Sequence, residues 1–403
     1  MKLRIAISAK EILGLLLFLY IISACLIPAD YMNIKKIFGL LFIALSIPVV
    51  ITCRNIWTDI VVFFSLGYSI FTIVLSLIVS NVKASFVISR GYIAIYLLMV
   101  IPIVYFELDY EKNLILALKI IVIIVIIGVI LDAFGILGIY QNPIYNFLRI
   151  TENAKIGKSS SLIALGYMVY LKAIALLVIL LGRSIEEKRI LWIMLTSVAI
   201  FLSGSRALWL TGMLLFFIAI ASSKKLQHSK FKWAFLLIVV LCGLVYVSDI
   251  VGIIKNSFYL KESGDLERRG HLISEWTEIT KSISSFLFGS GYGNTFFSEG
   301  TGKTVYVTEL SYFELLRQNG FVFFLVFIVF LIVPLRVLWK KDRTLLWIYL
   351  MYLIIAYTNP LLYTSTAYIM YTLVYSKYIQ CQMTEDVDVM INHLLYKKDI
   401  DES

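Results

Sequence analysis

Residues 114–131 read LILALKIIVIIVIIGVIL, an eighteen-residue run whose one charged side chain is Lys119. The hydrocarbon core of a bilayer is about 30 Å thick, and a helix needs about 20 residues to cross it. A helix satisfies all its backbone polar groups internally, so a run this long and apolar predicts a transmembrane helix. The same criterion, applied outward, predicts twelve spans, near residues 11–27, 34–51, 59–80, 88–106, 114–138, 161–181, 190–203, 206–222, 231–249, 318–338, 344–358 and 361–380.

The composition also indicates a membrane protein. Of the 403 residues, 60% are hydrophobic and 15% are charged, whereas an average soluble domain has about 25% charged residues. A soluble fold of this size has too little interior to bury so much apolar surface. The composition therefore excludes soluble enzymes, nucleic-acid-binding domains and disordered chains. It predicts an all-α, polytopic integral membrane protein with about twelve transmembrane helices.

The distribution of charge predicts the orientation. The net charge of +10 comes from 36 Lys and Arg against 26 Asp and Glu, and such an excess is typical of cytoplasmic loops that follow the positive-inside rule. With the N-terminus in the cytoplasm, the short inner segments hold 19 basic residues and the short outer segments hold 8. Both termini are therefore expected in the cytoplasm. The four cysteines are scattered, so the sequence predicts neither a disulfide framework nor a zinc site.

These spans and loops divide the chain into four parts. They are nine transmembrane helices in 1–249, a large outer loop in 250–317, three further transmembrane helices in 318–380 and a cytoplasmic tail in 381–403. Apolar residues recur in the loop at steps of three and four, at Leu272, Trp276, Ile279, Ile283 and Phe286. This spacing predicts an amphipathic helix that lies on the membrane surface or covers a cavity.

Ionisable side chains at membrane depth are costly to bury, so they are candidates for function. Arg206 follows Ser203-Gly204-Ser205 at the start of a helix, and an arginine together with exposed helix N–H groups suits a phosphate. The alternative for Arg206 is a side chain that extends to the lipid headgroups. Lys172 is a second candidate, and the alternative for it is a purely structural pair with Asp132.

The outer loop carries further candidates. Arg268, Arg269 and His271 stand at the start of the predicted amphipathic helix, and a solvated surface position is the alternative for all three. The run Gly289-Ser290-Gly291-Tyr292-Gly293 resembles a phosphate-binding glycine loop. No βαβ pattern surrounds this run, so a tight turn at the mouth of the membrane region is the favoured interpretation.

The segment that leads into the tenth span holds the remaining candidates. Glu309 precedes an apolar run, and a carboxyl beside apolar walls has a raised pKa and can act as a base. The alternative is an acid that is favoured by the dipole at a helix N-terminus. Glu314 and Arg317 are three residues apart, a spacing at which they can pair. Tyr312 lies between these groups.

Taken in order, these segments resemble the O-antigen polymerase and ligase superfamily, which comprises bacterial membrane glycosyltransferases that use undecaprenyl-diphosphate sugars. Ser203-Gly204-Ser205-Arg206 resembles the family's S/T-G-S-R at a helix start. Arg268-Arg269, then Trp276 and the glycine run, resemble the family's loop pattern. Residues 309–321 resemble its entry to a late helix. The motifs cover about residues 195–335, and elsewhere only hydropathy matches.

The resemblance implies a GT-C-like fold in the bacterial inner membrane and chain extension at its periplasmic face. The donor and the acceptor would both be oligosaccharides on undecaprenyl diphosphate. Membrane lipid and a chain-length-regulating membrane protein would be further partners, and no nucleic acid would bind. Arg206 and Arg269, or Arg268 in place of Arg269, would stabilise the departing diphosphate, and Glu309 would activate the acceptor hydroxyl. The resemblance assigns contacts with diphosphate or sugar to Arg268, His271, Ser205, Tyr312, Arg317 and Lys172. No metal or other cofactor is expected, because arginines would replace a cation at the diphosphate.

One departure from the family bears on the reaction. Ligases of the superfamily usually carry a His-Asn pair where this chain has Glu309-Leu310, whereas polymerases of the Wzy type often have an acidic residue there. This departure favours a polymerase. A ligase that transfers glycan to the lipid A core stays open as an alternative. So does a flippase or transporter of lipid-linked oligosaccharides, although the inverted repeats that are typical of transporters are not evident.

Overall fold

The computed structural model describes residues 2–27, 33–53, 55–80, 82–150, 154–158, 167–222, 262–357 and 359–401. The described chain is mostly helical and includes two small antiparallel sheets of two strands each. Among these residues, six segments are long and apolar enough to cross a membrane, namely Ala9–Leu26, Ile34–Thr52, Thr58–Val79, Ala84–Tyr105, Tyr110–Ala133 and Ser311–Lys341. They overlap predicted spans one to five and ten, so the prediction of a helical membrane protein is confirmed.

The N-terminal half consists of helices that pack side by side. They are α1 (Lys2–Leu26), α2 (Ile34–Thr52), α3 (Ile56–Val62), α4 (Ser69–Val79), α5 (Ala84–Gly91), α6 (Val100–Tyr105), α7 (Tyr110–Ala133), α8 (Pro143–Ile150), α9 (Leu177–Glu186), α10 (Ile190–Leu202) and α11 (Arg206–Ser222). A π-helical turn, Phe63–Tyr68, joins α3 to α4, and a 3-10 segment, Tyr92–Met99, joins α5 to α6. Each joined pair is therefore one continuous span.

The remaining elements belong to the segment 154–171, to the segment predicted as the outer loop and to the C-terminal helices. They are β1 (Ala154–Lys158), β2 (Tyr167–Leu171), α12 (Glu262–Thr280), α13 (Ile283–Phe288), β3 (Phe296–Ser298), β4 (Lys303–Val305), α14 (Ser311–Ile332), α15 (Leu335–Lys341), α16 (Arg343–Tyr357) and α17 (Ser365–Asp401). Helix α14 is broken at Gly320, whose φ of 72° is not helical. The break divides α14 into one part before and one part after Gly320.

Helix α7 shows why these sequences form helices with two different faces. Leu114, Leu118, Ile121 and Val125 recur at steps of three and four and are buried, and α7 packs against α1. The opposite face is also apolar but exposed, as at Ile127. Exposed apolar faces of this extent are stable only against another apolar phase, so they are the surface that a bilayer covers.

Predicted span six, residues 161–181, is wrong as a continuous helix. Residues 167–171 form β2, which pairs antiparallel with β1, and a 3-10 turn over Lys172–Leu176 precedes α9. Val and Tyr favour strands, and β1 supplies backbone hydrogen bonds that a lone strand lacks. Hydropathy alone does not distinguish a buried strand from a buried helix. Predicted span nine, 231–249, lies outside the described residues.

The other predicted spans correspond to helices that do not meet the length and hydropathy of a membrane-crossing helix. Spans seven, eight and eleven correspond to the shorter apolar helices Ile190–Leu202, Arg206–Ile218 and Arg343–Tyr357. Span twelve corresponds to the first part of α17, whose residues 366–376 are buried almost throughout. Two of its tyrosines bond backbone carbonyls, with 2.8 Å from the Tyr371 hydroxyl to Leu362 O and 2.6 Å from the Tyr375 hydroxyl to Phe330 O. This pattern places the first part of α17 inside the bundle.

The segment predicted as the outer loop contains more than one helix. Helix α12 ends at Thr280, and Ser282 caps α13 by accepting the Ser285 N–H at 3.0 Å, a role for which serine is favoured. Ile279 is buried, whereas Ile283 is 81% exposed, so the predicted apolar stripe is interrupted between the two helices. Both helices pack against α14. Residues 250–261 of the predicted loop lie outside the described residues.

Candidate functional site

A cavity of about 1380 Å³ lies between the helical bundle and the segment predicted as the outer loop. Of the described residues that line it, two are acidic, Glu309 and Glu314. Its basic residues come from several elements and are Lys35, Lys36, Arg90, Lys155, Lys172, Arg206 and Arg268. A concave surface with such an excess of positive charge concentrates anionic ligands.

The cavity brings together some of the predicted site residues and excludes others. The cavity is lined by Lys172, Ser205, Arg206, Arg268 and Glu309. These residues come from the 3-10 turn after β2, the start of α11, α12 and the segment before α14, which are far apart in sequence. The other four candidates point elsewhere and bond within the protein or lie on its surface. They are Arg269, His271, Tyr312 and Arg317.

The turn before α11 holds Arg206 at the cavity wall. Gly204 has a φ of 66°, which glycine adopts without strain. The Ser203 hydroxyl donates to Ile200 O at 2.6 Å and accepts the Ser205 N–H at 3.1 Å. The Ser205 hydroxyl accepts the Leu208 N–H at 3.4 Å, as in an N-cap. The motif thus starts a helix, and its arginine is the first helical residue, beside the cavity.

Glu309 and Arg268 form an ion pair across the cavity wall, with 3.3 Å between Oε2 and Nη2. The pair connects α12 to the segment before α14. The Glu309 side chain is 49% exposed, so the prediction that apolar walls surround it is wrong. The arrangement instead presents a carboxylate to the cavity beside a guanidinium that orients it.

Sequence reasoning missed a second carboxyl, Glu275, which bonds Thr308, the residue before Glu309. Glu275 is fully buried in α12, and the Thr308 hydroxyl donates to its Oε1. Thr308 Oγ1 in turn accepts the Leu310 N–H at 3.3 Å. Burial, and then the nearby Glu314 carboxylate, raise the pKa of Glu275 to about 8. One sequence signal could have indicated that Glu275 is buried. It stands four residues before Ile279 of the predicted apolar stripe, and residues four apart share a helix face.

Arg317 stabilises the loop rather than facing the cavity. Its guanidinium bonds Glu314 twice, with 2.9 Å from Nε to Oε2 and 2.7 Å from Nη2 to Oε1, so the predicted pairing of these two residues is confirmed. The other N–H groups donate to Ser290 Oγ, Asn294 O and Tyr306 O, and the group lies 4.4 Å from the centre of the Phe296 ring. All five N–H donors of the side chain are thereby used, which leaves none for a substrate.

The glycine run, residues 289–293, is a tight turn that is hydrogen-bonded to α14. Gly289, Gly291 and Gly293 all have φ between 77° and 79°. The Ser290 and Gly291 N–H groups donate to the carbonyls of Arg317 and Gln318 at 2.8 and 2.9 Å. These amides are therefore not free to hold a phosphate, and the interpretation as a tight turn is confirmed. The run seats the loop on α14 just before its break at Gly320.

The remaining candidates occupy structural positions. His271 is buried, with 2.6 Å between its Nδ1 and Ser298 Oγ, and it ties α12 to β3. The alternative of a surface position for His271 is therefore wrong. Arg269 is exposed outside the cavity lining. The Tyr312 hydroxyl donates to Leu353 O at 3.2 Å. Asp132, considered as a partner for Lys172, accepts from the Tyr167 hydroxyl at 2.6 Å.

Aromatic and cationic side chains that the motifs did not include complete the cavity. Tyr92, Tyr170 and Trp209 are among its lining residues, and such rings suit the apolar faces of sugars or a lipid chain. Lys35 and Lys36 of α2 also line it. No sequence signal connected these lysines to Arg206, because only the packing of distant helices brings them to one cavity. No family model and no curated protein matches this chain.

Proposed function

We propose that this protein extends chains of undecaprenyl-diphosphate-linked oligosaccharide repeats as a glycosyltransferase of the bacterial inner membrane. The observation that carries the proposal is the meeting of Arg206, Arg268 and Glu309 at one cavity. Two guanidinium groups and a carboxylate at one cavity are the groups that this transfer needs. The proposal includes about twelve spans, cytoplasmic termini and a periplasmic outer loop.

The reaction follows from the chemistry of these groups. A hydroxyl oxygen of the acceptor sugar attacks the anomeric carbon of the donor, and the bond from that carbon to the diphosphate oxygen breaks. The Glu309 carboxylate takes the hydroxyl proton, and undecaprenyl diphosphate leaves with the bonding electron pair. Arg206 and Arg268 stabilise the negative charge that develops on this leaving group. Arg268 also orients Glu309 through their ion pair.

The test is complementation of a strain that lacks the gene, followed by electrophoresis of its surface polysaccharide. Arg206→Ala is expected to abolish long glycan ladders at an unchanged protein level, and Arg206→Lys to restore part of them, because a lysine keeps the charge without the bidentate geometry. Removal of one stabilising donor of this kind costs roughly 100- to 1000-fold in rate. Glu309→Gln is expected to be severe and Glu309→Asp milder.

The matched control is Lys303→Ala, which removes an exposed lysine of β4 outside the cavity lining. It is expected to leave the ladder unchanged. Long ladders from Arg206→Ala would contradict the proposal. In the gene deletion, one repeat on each lipid core supports a polymerase, whereas free lipid-linked chains without core attachment would indicate a ligase instead.

A further inference from the structure

A second group of cations lies in the cavity on elements that the motifs do not include. Lys35 and Lys36 stand in the first turn of α2, and Arg90 stands at the end of α5. The start of α17 meets them, because Lys35 Nζ donates to Ser365 Oγ at 2.8 Å. The Tyr363 hydroxyl donates to Gly91 O at 3.3 Å and ties the same segment to α5. Three distant parts of the chain thus form one wall.

This wall has the composition of an anion site. Lys35 is 7% exposed and nevertheless lines the cavity. A buried ammonium is costly and in a membrane protein marks a functional position. The hydroxyls of Thr364, Ser365 and Thr366 line the cavity beside it. Together the group offers ammonium, guanidinium and hydroxyl donors, which are the groups that hold phosphate oxygens.

The charges of the described lining residues exceed those of one diphosphate. Of these residues seven are basic and two are acidic, a difference of five positive charges. A diphosphate that is esterified at both ends carries one negative charge on each phosphate, so one such group corresponds to two of these five charges. Two such groups, with roughly four negative charges together, come close to balancing them. The volume of about 1380 Å³ also admits more than one headgroup.

We infer that the cavity holds two lipid-linked diphosphates at once and that Lys35, Lys36 and Arg90 bind the second. This inference rests on the proposed function, in which the donor and the acceptor each carry a diphosphate. The donor's diphosphate is the leaving group, so it lies with Arg206 and Arg268 beside Glu309. The acceptor reacts through the sugar farthest from its own diphosphate, so that diphosphate lies apart from Glu309.

The residue types fit this division of roles. The acceptor's diphosphate keeps its bonds throughout the reaction, so it needs attraction rather than a geometry matched to developing charge. Lysines act as point charges and provide such attraction, whereas arginines bind two oxygens in a fixed geometry. The cations of α2 and α5 are two lysines and one arginine, whereas the two cations assigned to the leaving group, Arg206 and Arg268, are both arginines.

Native mass spectrometry of the purified full-length protein with undecaprenyl diphosphate tests the inference. Wild type is expected to bind two copies, and the double variant Lys36→Ala/Arg90→Ala one copy. These two side chains are half-buried, so their truncation is expected to disturb folding less than a change at Lys35. Lys303→Ala, outside the cavity lining, is the matched control and is expected to keep two copies.

Each other outcome has a distinct meaning. One copy on wild type would overturn the second position and leave the proposed function standing, whereas no binding would overturn both. Two copies on the double variant would overturn the assignment to Lys36 and Arg90. A parallel titration with phosphatidylglycerol identifies the source of the anion. If that lipid displaces the second copy at equal concentration, the wall is a general headgroup site and the inference is wrong.

Discussion

Replacement of Glu275 by glutamine is expected to change how the stability of the protein depends on pH. Glu275 is fully buried on α12, and Glu314 and Arg317 of α14 are the charged groups that act on it. Burial and the Glu314 carboxylate raise its pKa from 4.5 to about 8, although Arg317 and the Thr308 hydroxyl act in the opposite direction. The protonated form therefore predominates in the folded protein at neutral pH.

The magnitude follows from the two pKa values. They differ by about 3.5, and a difference of one corresponds to about 1.4 kcal/mol, so ionising Glu275 costs the folded protein about 5 kcal/mol. Between pH 4.5 and pH 8 the folded protein keeps a proton that the unfolded chain releases. The free energy of unfolding of wild type therefore falls as the pH rises through this window, and the full cost is present above pH 8.

The assay is thermal unfolding of the purified protein in detergent micelles at pH 5, 7 and 9. Glu275→Gln keeps an oxygen that accepts the Thr308 hydroxyl and never ionises. Its stability relative to wild type is expected to rise by about 4 kcal/mol between pH 5 and pH 9. Glu278→Gln, on the same helix, is the matched control, because its carboxylate is only partly buried and pairs with Lys281. It is expected to follow wild type.

Two results would refute this reasoning. If Glu275→Gln and wild type lose stability in parallel from pH 5 to pH 9, Glu275 does not hold the proton. If Glu275→Gln is less stable than wild type by the same amount at every pH, the carboxyl has a packing role without titration. The readout needs no substrate, so it stands apart from the proposed function.

Two further predictions concern positions that hold the elements together. Gly289→Ala is expected to lower the melting temperature sharply, because a Cβ would lie 2.3 Å from Gln318 O at a φ of 77°. The control is Gly14→Ala on α1, whose added Cβ meets no atom within 4 Å and which is expected to be neutral or slightly stabilising. Equal melting temperatures for the two variants would contradict the role of the glycine run as a tight turn on α14. Arg183→Ala is expected to lower the free energy of unfolding by about 3 kcal/mol, measured by denaturant titration. Arg183 bonds carboxylates of α7, α9 and the start of α16, with 2.7 Å from Nη2 to Asp342 Oδ2. Arg183→Lys is expected to recover only part, since a lysine has one ammonium for three partners, and full stability of Arg183→Ala would show that the cluster contributes nothing.

Much of the fold was predictable from residue patterns because a bilayer imposes a simple rule. A helix that crosses it needs a fixed length of apolar residues, and this rule located the run at 114–131 and five other long apolar segments. The rule fails where apolar residues face protein instead of lipid. Residues 167–171 pair as a strand, and α17 carries tyrosines whose hydroxyls bond neighbouring carbonyls inside the bundle.

The candidate site shows a similar division. Local motifs identified Arg206, Arg268 and Glu309, because a glycine turn at a helix start and charged groups near apolar runs are visible in the chain itself. The same reasoning also selected Arg317 and His271, whose side chains bond inside the protein. Short motifs indicate that a residue is constrained, but they do not say whether a substrate or a neighbouring helix constrains it.

Residue chemistry along the chain thus determined that this is a helical membrane protein and indicated a small set of charged candidates. Tertiary packing alone decided which charges share a cavity, such as Lys35 and Lys36 with Arg206. It also decided that Glu275 bonds Thr308, the residue before Glu309. The reason is physical. Hydropathy and helix spacing act over a few turns of one segment, whereas electrostatic fields and desolvation depend on groups that meet only when distant segments pack.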